Sequence, residues 1–228
     1  MPTNEAVMKI NKLIVGREPD AITRTLAMMA YNLAIGRVLE PGAVDRFSDL
    51  MVEAIPKLYG RTTREVFDKW HGEVCERIID SFKTALQTTP SYGQAQKPVN
   101  VFLKVYVDWA KRPTPDLAEK LAPWLHVPLD SILMKYFKRE LPEEYENHIG
   151  RIRRRRFDRT AQRLTTINNP RSVARSMLGN EFSLAAIDKE TYLAWQQLFQ
   201  TLYPAKPVML DIIWFLKRKK QPGSVGAA

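Results

Sequence analysis

The 228-residue sequence is poor in the residues that form covalent or metal-bound frameworks. Cys75 is its single cysteine, which excludes a disulfide within the chain and a four-cysteine iron–sulfur cluster. The three histidines, His71, His126 and His148, lack the spacing of zinc ligands. We therefore expect a protein that works without a metal or another cofactor.

Long apolar runs are also missing. No stretch of eighteen apolar residues occurs, so a transmembrane helix is not expected. Residues 1–16 mix charged with apolar side chains and lack the continuous apolar segment of a signal peptide. The sequence therefore predicts a protein of the cytoplasm with no membrane partner, and we expect a monomer.

Charge is present in excess of one sign. Lys and Arg number 35 against 25 Asp and Glu, which gives a formal net charge of +10. Such a balance favours a polyanionic partner, of which nucleic acid is the commonest. The alternative is a basic surface without a specific partner.

Apolar residues recur at helical spacing along most of the chain, and no alternating pattern lasts long enough for a strand. Helices are predicted at residues 4–15, 20–39, 43–58, 63–82, 94–111, 116–124, 130–139, 142–163, 172–179, 189–203 and 207–219. We therefore expect an all-α protein in which residues 1–228 form a single catalytic unit. One lobe would comprise about 60–165, and residues 1–59 with 166–220 would form the second lobe.

A glycine-containing turn at Gly93, Gln94 and Ala95 separates two predicted helices. This is the outline of a helix-hairpin-helix, in which backbone N–H groups at the start of the second helix hold a phosphate of DNA. Those N–H groups lack partners within the helix, and the helix dipole favours an anion there. The alternative is an ordinary hairpin of two packed helices.

Lys97 stands beside Pro98, a residue suited to the first turn of a helix. The positive end of the helix dipole would disfavour the protonated amine at that place, and a neutral amine is a nucleophile. The alternative is a solvated lysine. Lys104, seven residues further on the same helical face, is a competing candidate for the nucleophile or for a pocket residue.

Asp130 is placed to cap the helix that follows the extended segment ending in Pro128 and Leu129. A carboxylate held rigidly there could accept a proton from an attacking amine or water. It could also stabilise positive charge on a sugar whose base is leaving. The alternative is that capping is its only role. His126 lies close by in sequence and is a candidate pocket residue.

The stretch from Lys97 to Tyr106, followed by Val127 to Asp130, resembles the helix-hairpin-helix DNA glycosylase superfamily, with the archaeal 8-oxoguanine glycosylases as the nearest branch. The resemblance implies a two-lobed helical fold, with the Schiff-base lysine at Lys97 and the family aspartate at Asp130. The hairpin departs from the family pattern, because Gly93-Gln94-Ala95 stands where two glycines are usual.

The same resemblance implies an enzyme that binds duplex DNA, flips a damaged or modified base into a pocket and cleaves its N-glycosidic bond. With a lysine nucleophile, a Schiff base and β-elimination at the abasic site can follow. Because some relatives act on or build hypermodified viral bases, a bulky modified pyrimidine of phage DNA is an expected alternative to 8-oxoguanine as the substrate.

An arginine-rich segment within the predicted helix 142–163 is the second feature that suggests DNA. Its seven arginines are Arg151, Arg153, Arg154, Arg155, Arg156, Arg159 and Arg163. Because guanidinium groups match phosphate geometry, Arg153 to Arg156 are predicted to contact DNA. The alternative is a solvated face, or one paired with the upstream acidic residues Glu140, Glu143, Glu144 and Glu146.

Two other functions remain open on the sequence alone. A non-catalytic helical DNA-binding protein would keep the hairpin and the basic face without using Lys97 as a nucleophile. A helical RNA-binding or assembly factor would use the basic surface without any function for the hairpin.

Overall fold

A computed structural model describes Met8 and residues 17–34, 39–60, 63–164 and 169–218 of the chain. The predicted first helix, apart from Met8, and the tail from Gln221 lie outside these residues. The described α-helices are α1 (Glu18–Ala34), α2 (Ala43–Ala54), α3 (Arg64–Ser81), α4 (Tyr92–Leu103), α5 (Pro115–Leu121), α6 (Ser131–Glu140), α7 (Pro142–Tyr145), α8 (Arg151–Arg163), α9 (Pro170–Leu178), α10 (Lys189–Leu202) and α11 (Ile212–Arg218).

Shorter helical segments join several of these elements. The 3₁₀ segments are Ile55–Leu58, Ala122–Trp124, Leu184–Ala186 and Pro207–Asp211, and π-helical segments occur at Lys104–Trp109 and Glu146–Gly150. Among the described residues the β-structure is one isolated bridge between Leu39 and Thr84. The prediction of an all-α protein is therefore confirmed for the described part of the chain.

Polar side chains at the helix starts explain where several elements begin. The Thr63 hydroxyl accepts a hydrogen bond from Val66 N, 3.4 Å away, at the start of α3. At α6, Oδ1 of Asp130 accepts from Leu133 N at 2.7 Å. Each side chain satisfies an N–H group that has no partner within its helix. The helix starts predicted at Thr63 and Asp130 are confirmed.

The start of α4 differs from the prediction. Ser91 caps the helix in a capping box with Gln94, so α4 begins at Tyr92 rather than at residue 94. Pro98 consequently lies inside the helix, and Lys97 lies in its second turn. Because the helix dipole acts mainly within the first turn, it acts less on Lys97 than the sequence suggested.

One hydrophobic cluster forms the core of the described residues. It includes Ala27 of α1, Phe47 of α2 and Phe102 of α4, with the two phenylalanine rings 6.4 Å apart in an edge-on arrangement. Helix α4 also packs against α3 and α10. The cluster runs across the boundary predicted between the lobes at residue 60, and the division into two lobes stays a prediction.

None of the helices in the described part of the chain is long and apolar enough to cross a membrane.

Candidate functional site

Lys97 and Asp130 come together in the fold. Lys97 extends from the second turn of α4, and Asp130 stands at the N-terminus of α6. Their Nζ and Oδ2 atoms are 3.5 Å apart, and the two side chains are only 12% and 15% exposed. Two residues predicted separately as nucleophile and carboxylate thus form one partly buried pair.

The two oxygens of Asp130 have different surroundings. Oδ1 accepts the hydrogen bond from Leu133 N at 2.7 Å and is fixed by that cap. Oδ2 is buried and has no hydrogen-bond partner among the described residues, although the Lys97 amine lies within ion-pair distance. A buried carboxylate oxygen normally accepts a hydrogen bond. Since Oδ2 accepts none, its lone pairs are free, and it is the oxygen of Asp130 that is available to accept a proton.

Lys104, the competing lysine, has a partner of its own. Its Nζ lies 2.6 Å from Oδ2 of Asp211, and both side chains are largely buried. The same amine lies 5.0 Å from the centre of the Trp109 ring. Lys104 is thus engaged in a hydrogen bond with its carboxylate, whereas the Lys97 amine makes no hydrogen bond to Asp130, so Lys104 is the weaker candidate for the nucleophile.

The predicted phosphate-binding turn is corrected by the structure. Gly93, Gln94 and Ala95 belong to the first turn of α4, and the connection that precedes them is the longer segment 82–91. The N–H of Gly93 donates to Ile187 O at 2.9 Å. The N–H groups of Gln94 and Ala95 donate to Ser91, at 3.2 Å to its hydroxyl and 3.0 Å to its carbonyl oxygen respectively. The donors that a phosphate would need are therefore occupied within the protein.

The arginines predicted to contact DNA are paired with carboxylates of the same chain. Arg155 and Arg156 lie 2.9 Å from Glu190 and Asp188 at the start of α10. Arg153 lies 3.6 Å from Glu181, and Arg154 pairs with Glu146. The structure thus shows the ion-paired alternative, with three of the four partners between residues 181 and 190 and only Glu146 from the acidic residues expected upstream.

Three other arginines of α8 have a different environment. Arg151, Arg159 and Arg163 are exposed, and no carboxylate of the described residues lies within 4.0 Å of them. Arg151 and Arg159 are eight residues apart, which places them on one side of the helix, and Arg163 follows four residues after Arg159. They are the arginines of this helix whose charge is least neutralised within the described structure.

A buried polar network that the sequence did not predict joins α4 to its neighbours. Asn100 is at its centre: its Nδ2 donates to Gln96 Oε1 at 2.6 Å and to Tyr192 Oη at 2.9 Å. Its Oδ1 lies 2.7 Å from His71 Nε2, and Tyr192 Oη lies 2.8 Å from His126 Nδ1. Three helices and the segment before α6 are thereby joined through side chains.

The network fixes which nitrogen of each histidine donates to its acceptor. Because Asn100 Oδ1 can only accept, His71 carries its proton on Nε2. Because the ionised Asp68 Oδ1 can only accept, His126 donates to it from Nε2 at 2.9 Å, and its Nδ1 lies 2.8 Å from Tyr192 Oη. Burial, followed by the nearby His126, lowers the pKa of His71 to about 3.

The network ends at Asp68, whose side chain is 36% exposed. Burial is the largest single influence on this carboxyl group and raises its pKa, but the hydrogen bond and charge of His126 together with Arg64 outweigh it. The net pKa of Asp68 therefore lies below its usual value. Asp68 is an ionised carboxylate held in a fixed orientation at the mouth of a cleft.

Sequence reasoning placed His126 near a pocket but missed Asp68, Asn100 and Tyr192. One signal in the sequence indicates the network. His71, a polar residue, falls on the apolar stripe that includes Phe67, and it is buried in the fold. A buried polar side chain requires partners. Their identity depends on tertiary contacts between distant helices, which sequence spacing does not supply.

No family model, curated protein or solved structure matches this chain. The functional conclusion therefore depends on the residues themselves.

Proposed function

We propose that the chain is a DNA N-glycosylase, with Lys97 as the nucleophile and Asp130 as the group that accepts its proton. The observation that carries the proposal is the Lys97–Asp130 pair, with Nζ and Oδ2 3.5 Å apart and both side chains largely withdrawn from solvent. The partner would be duplex DNA and the substrate a damaged or modified base. The proposal includes a monomer acting in the cytoplasm.

The chemistry needs both members of the pair. Transfer of a proton from the Lys97 ammonium to Asp130 Oδ2 leaves an amine that can attack C1′ of a flipped nucleotide. As the C1′–N bond breaks, its electron pair leaves with the base, and the carboxyl group remains beside the sugar. The resulting covalent sugar adduct can open to a Schiff base, from which β-elimination cleaves the strand.

Two features suggested by the sequence do not support this proposal. The N–H groups of Gly93, Gln94 and Ala95 are occupied within the protein, and Arg153 to Arg156 are paired with carboxylates. DNA contacts are instead expected from Arg151, Arg159 and Arg163, whose guanidinium groups are exposed.

The first test uses a duplex with one abasic site and sodium borohydride, which reduces a Schiff base to a stable adduct. This probe is independent of which base the enzyme recognises. We expect a covalent protein–DNA adduct that Lys97→Gln abolishes. Duplexes with 8-oxoguanine, uracil or bulky modified pyrimidines then identify the substrate through release of the base. Asp130→Asn, in which asparagine still caps α6, should slow release by roughly 10²–10⁴-fold.

The chain offers a matched control in the π-helical segment that directly follows α4. Lys104 and Asp211 form a largely buried ion pair with Nζ and Oδ2 2.6 Å apart, so Lys104→Gln and Asp211→Asn test the loss of a similar pair elsewhere. Both control variants should retain the adduct. An adduct that persists in Lys97→Gln but disappears in Lys104→Gln would overturn the assignment, and tight binding without base release from any duplex would favour a non-catalytic DNA-binding protein.

A further inference from the structure

A separate cleft of about 330 Å³ lies where α3 meets α10. Its lining residues come from the start of α3, the segment before α6 and one face of α10, and include Arg64, Asp68, His126, Leu193, Gln200 and Thr201. The volume is at the lower end of the range for small-molecule sites, which is roughly 300–1,000 Å³. Neither Lys97 nor Asp130 lines the cleft, so it is a second site and does not depend on the proposed glycosylase activity.

Hydrogen bonds within the protein leave acceptors facing this cleft. Thr201 donates its hydroxyl proton to Gln197 O at 3.0 Å, and Gln200 donates from Nε2 to Pro204 O at 3.0 Å. Their remaining acceptors are the oxygen lone pairs of Thr201 and the Oε1 atom of Gln200, and Gln200 also keeps one Nε2 hydrogen. Together with the Asp68 carboxylate they provide three acceptors, which equals the number of donors of a primary ammonium group.

Arg64 adds the complementary charge. Its Nε lies 3.4 Å from Oδ2 of Asp68, so an ammonium bound at Asp68 would stand close to the guanidinium. A ligand that carries only a positive charge would be repelled there, whereas a carboxylate next to the ammonium would pair with Arg64. The two opposite charges of the cleft thus match a zwitterion. Leu193 supplies an apolar wall for a side chain.

We infer that this cleft binds a free α-amino acid. Asp68, Gln200 and Thr201 hold the ammonium, and Arg64 holds the carboxylate. The hydrogen-bonded side chains of Asn100, Tyr192 and His126 position the Asp68 carboxylate, because His126 donates from Nε2 to Oδ1 and is itself held by Tyr192. His126 is thus a positioning residue and needs no contact with the ligand.

The binding test uses the purified full chain. The twenty standard amino acids are screened at 10 mM by thermal unfolding, and the one that stabilises most is titrated by calorimetry. We expect at least one to raise the unfolding temperature. The amine and the carboxylic acid that share its side chain, each lacking one charged group, should bind at least tenfold more weakly. The inference is overturned if no amino acid shifts the unfolding temperature, or if the amine binds as tightly as the amino acid.

Two substitutions assign the charges. Asp68→Asn keeps an acceptor for His126 but removes the negative charge, and should weaken binding roughly tenfold or more. Arg64→Gln should weaken binding of the amino acid but not of its methyl ester, which has no carboxylate. Asp49→Asn, at an exposed ion pair with Arg24, is the matched control and should bind like the unmodified chain. Unchanged binding in Asp68→Asn would exclude this cleft as the site.

Discussion

His71 is a residue whose ionisation depends strongly on the fold. It is fully buried, its ring stacks on Tyr192, and its Nε2 donates to Asn100. A neutral ring satisfies every group around it, whereas a second proton on the ring would be buried without a carboxylate in contact. The low pKa of His71 is therefore a consequence of the network.

The first prediction concerns the effect of acid on stability. The pKa of His71 is about 3 in the folded chain and near 6.5 when unfolded, so the unfolded chain binds an extra proton between these values. Its contribution to stability is complete above pH 6.5 and is lost as the pH falls toward 3. Between pH 7.5 and 4.5 the free energy of unfolding should fall by about 3 kcal/mol more in the unmodified chain than in His71→Gln.

Urea unfolding at the two pH values measures this difference, and His148→Gln is the control for loss of a histidine. Asp68 does not interfere, because its pKa lies below the ordinary value of 3.8 and thus below this window. If the free energy of unfolding depends on pH in the same way in His71→Gln and His148→Gln, then the fold does not hold His71 neutral.

Single residues also show what the sequence could predict about the site. Asp130 could be assigned as a cap because an aspartate after an extended Pro128 segment, before a helical pattern, has few other local conformations. The partner of Lys104 could not be assigned, because Asp211 lies in a distant 3₁₀ segment whose approach to α4 depends on the packed core. Helix caps can be predicted from neighbouring residues in the sequence, whereas ion pairs between distant segments cannot.

At the scale of elements, the start of α4 is held against the segment before α10. The N–H of Gly93 donates to Ile187 O at 2.9 Å, and the Ser91 hydroxyl donates to Leu184 O at 2.7 Å. A Cβ added at Gly93 would lie 2.4 Å from Leu184 O and 2.6 Å from Ile187 Cβ. Gly93 is thus required by close packing rather than by a turn, which is why its role was misassigned from sequence.

This contact gives the second prediction. Gly93→Ala should lower the free energy of unfolding by about 1–3 kcal/mol, because the backbone of the segment before α10 must move to accommodate the methyl group. Gly72→Ala is the matched control inside α3, where the nearest atoms to an added Cβ are 3.8 Å away. It should be neutral or stabilise by up to about 1 kcal/mol, since alanine favours helix over glycine. Equal effects of the two substitutions in urea unfolding would contradict the close packing at Gly93.

At the scale of the whole molecule, the net charge is +10, but the positive side chains are not all equally available to a partner. Four arginines of α8 are balanced by Glu146, Glu181, Asp188 and Glu190, and they tie this helix to its neighbours. Composition predicted a basic protein, but only the fold decides which cations are neutralised internally. On α8, the positive charge that remains available to a polyanion is concentrated at Arg151, Arg159 and Arg163.

The third prediction separates these two groups of arginines through the salt dependence of duplex DNA binding. Each phosphate contact contributes about one unit to the slope of log Kobs against log salt concentration, because it releases a condensed counterion. Arg151→Ala and Arg159→Ala should each reduce that slope by about one. Arg153→Ala, at a position only 19% exposed and paired with Glu181, should leave the slope unchanged and lower the unfolding temperature instead. A slope that falls in Arg153→Ala but stays constant in Arg151→Ala and Arg159→Ala would assign the phosphate contacts to the ion-paired arginines instead. The absence of salt-sensitive binding would remove α8 from any DNA interface.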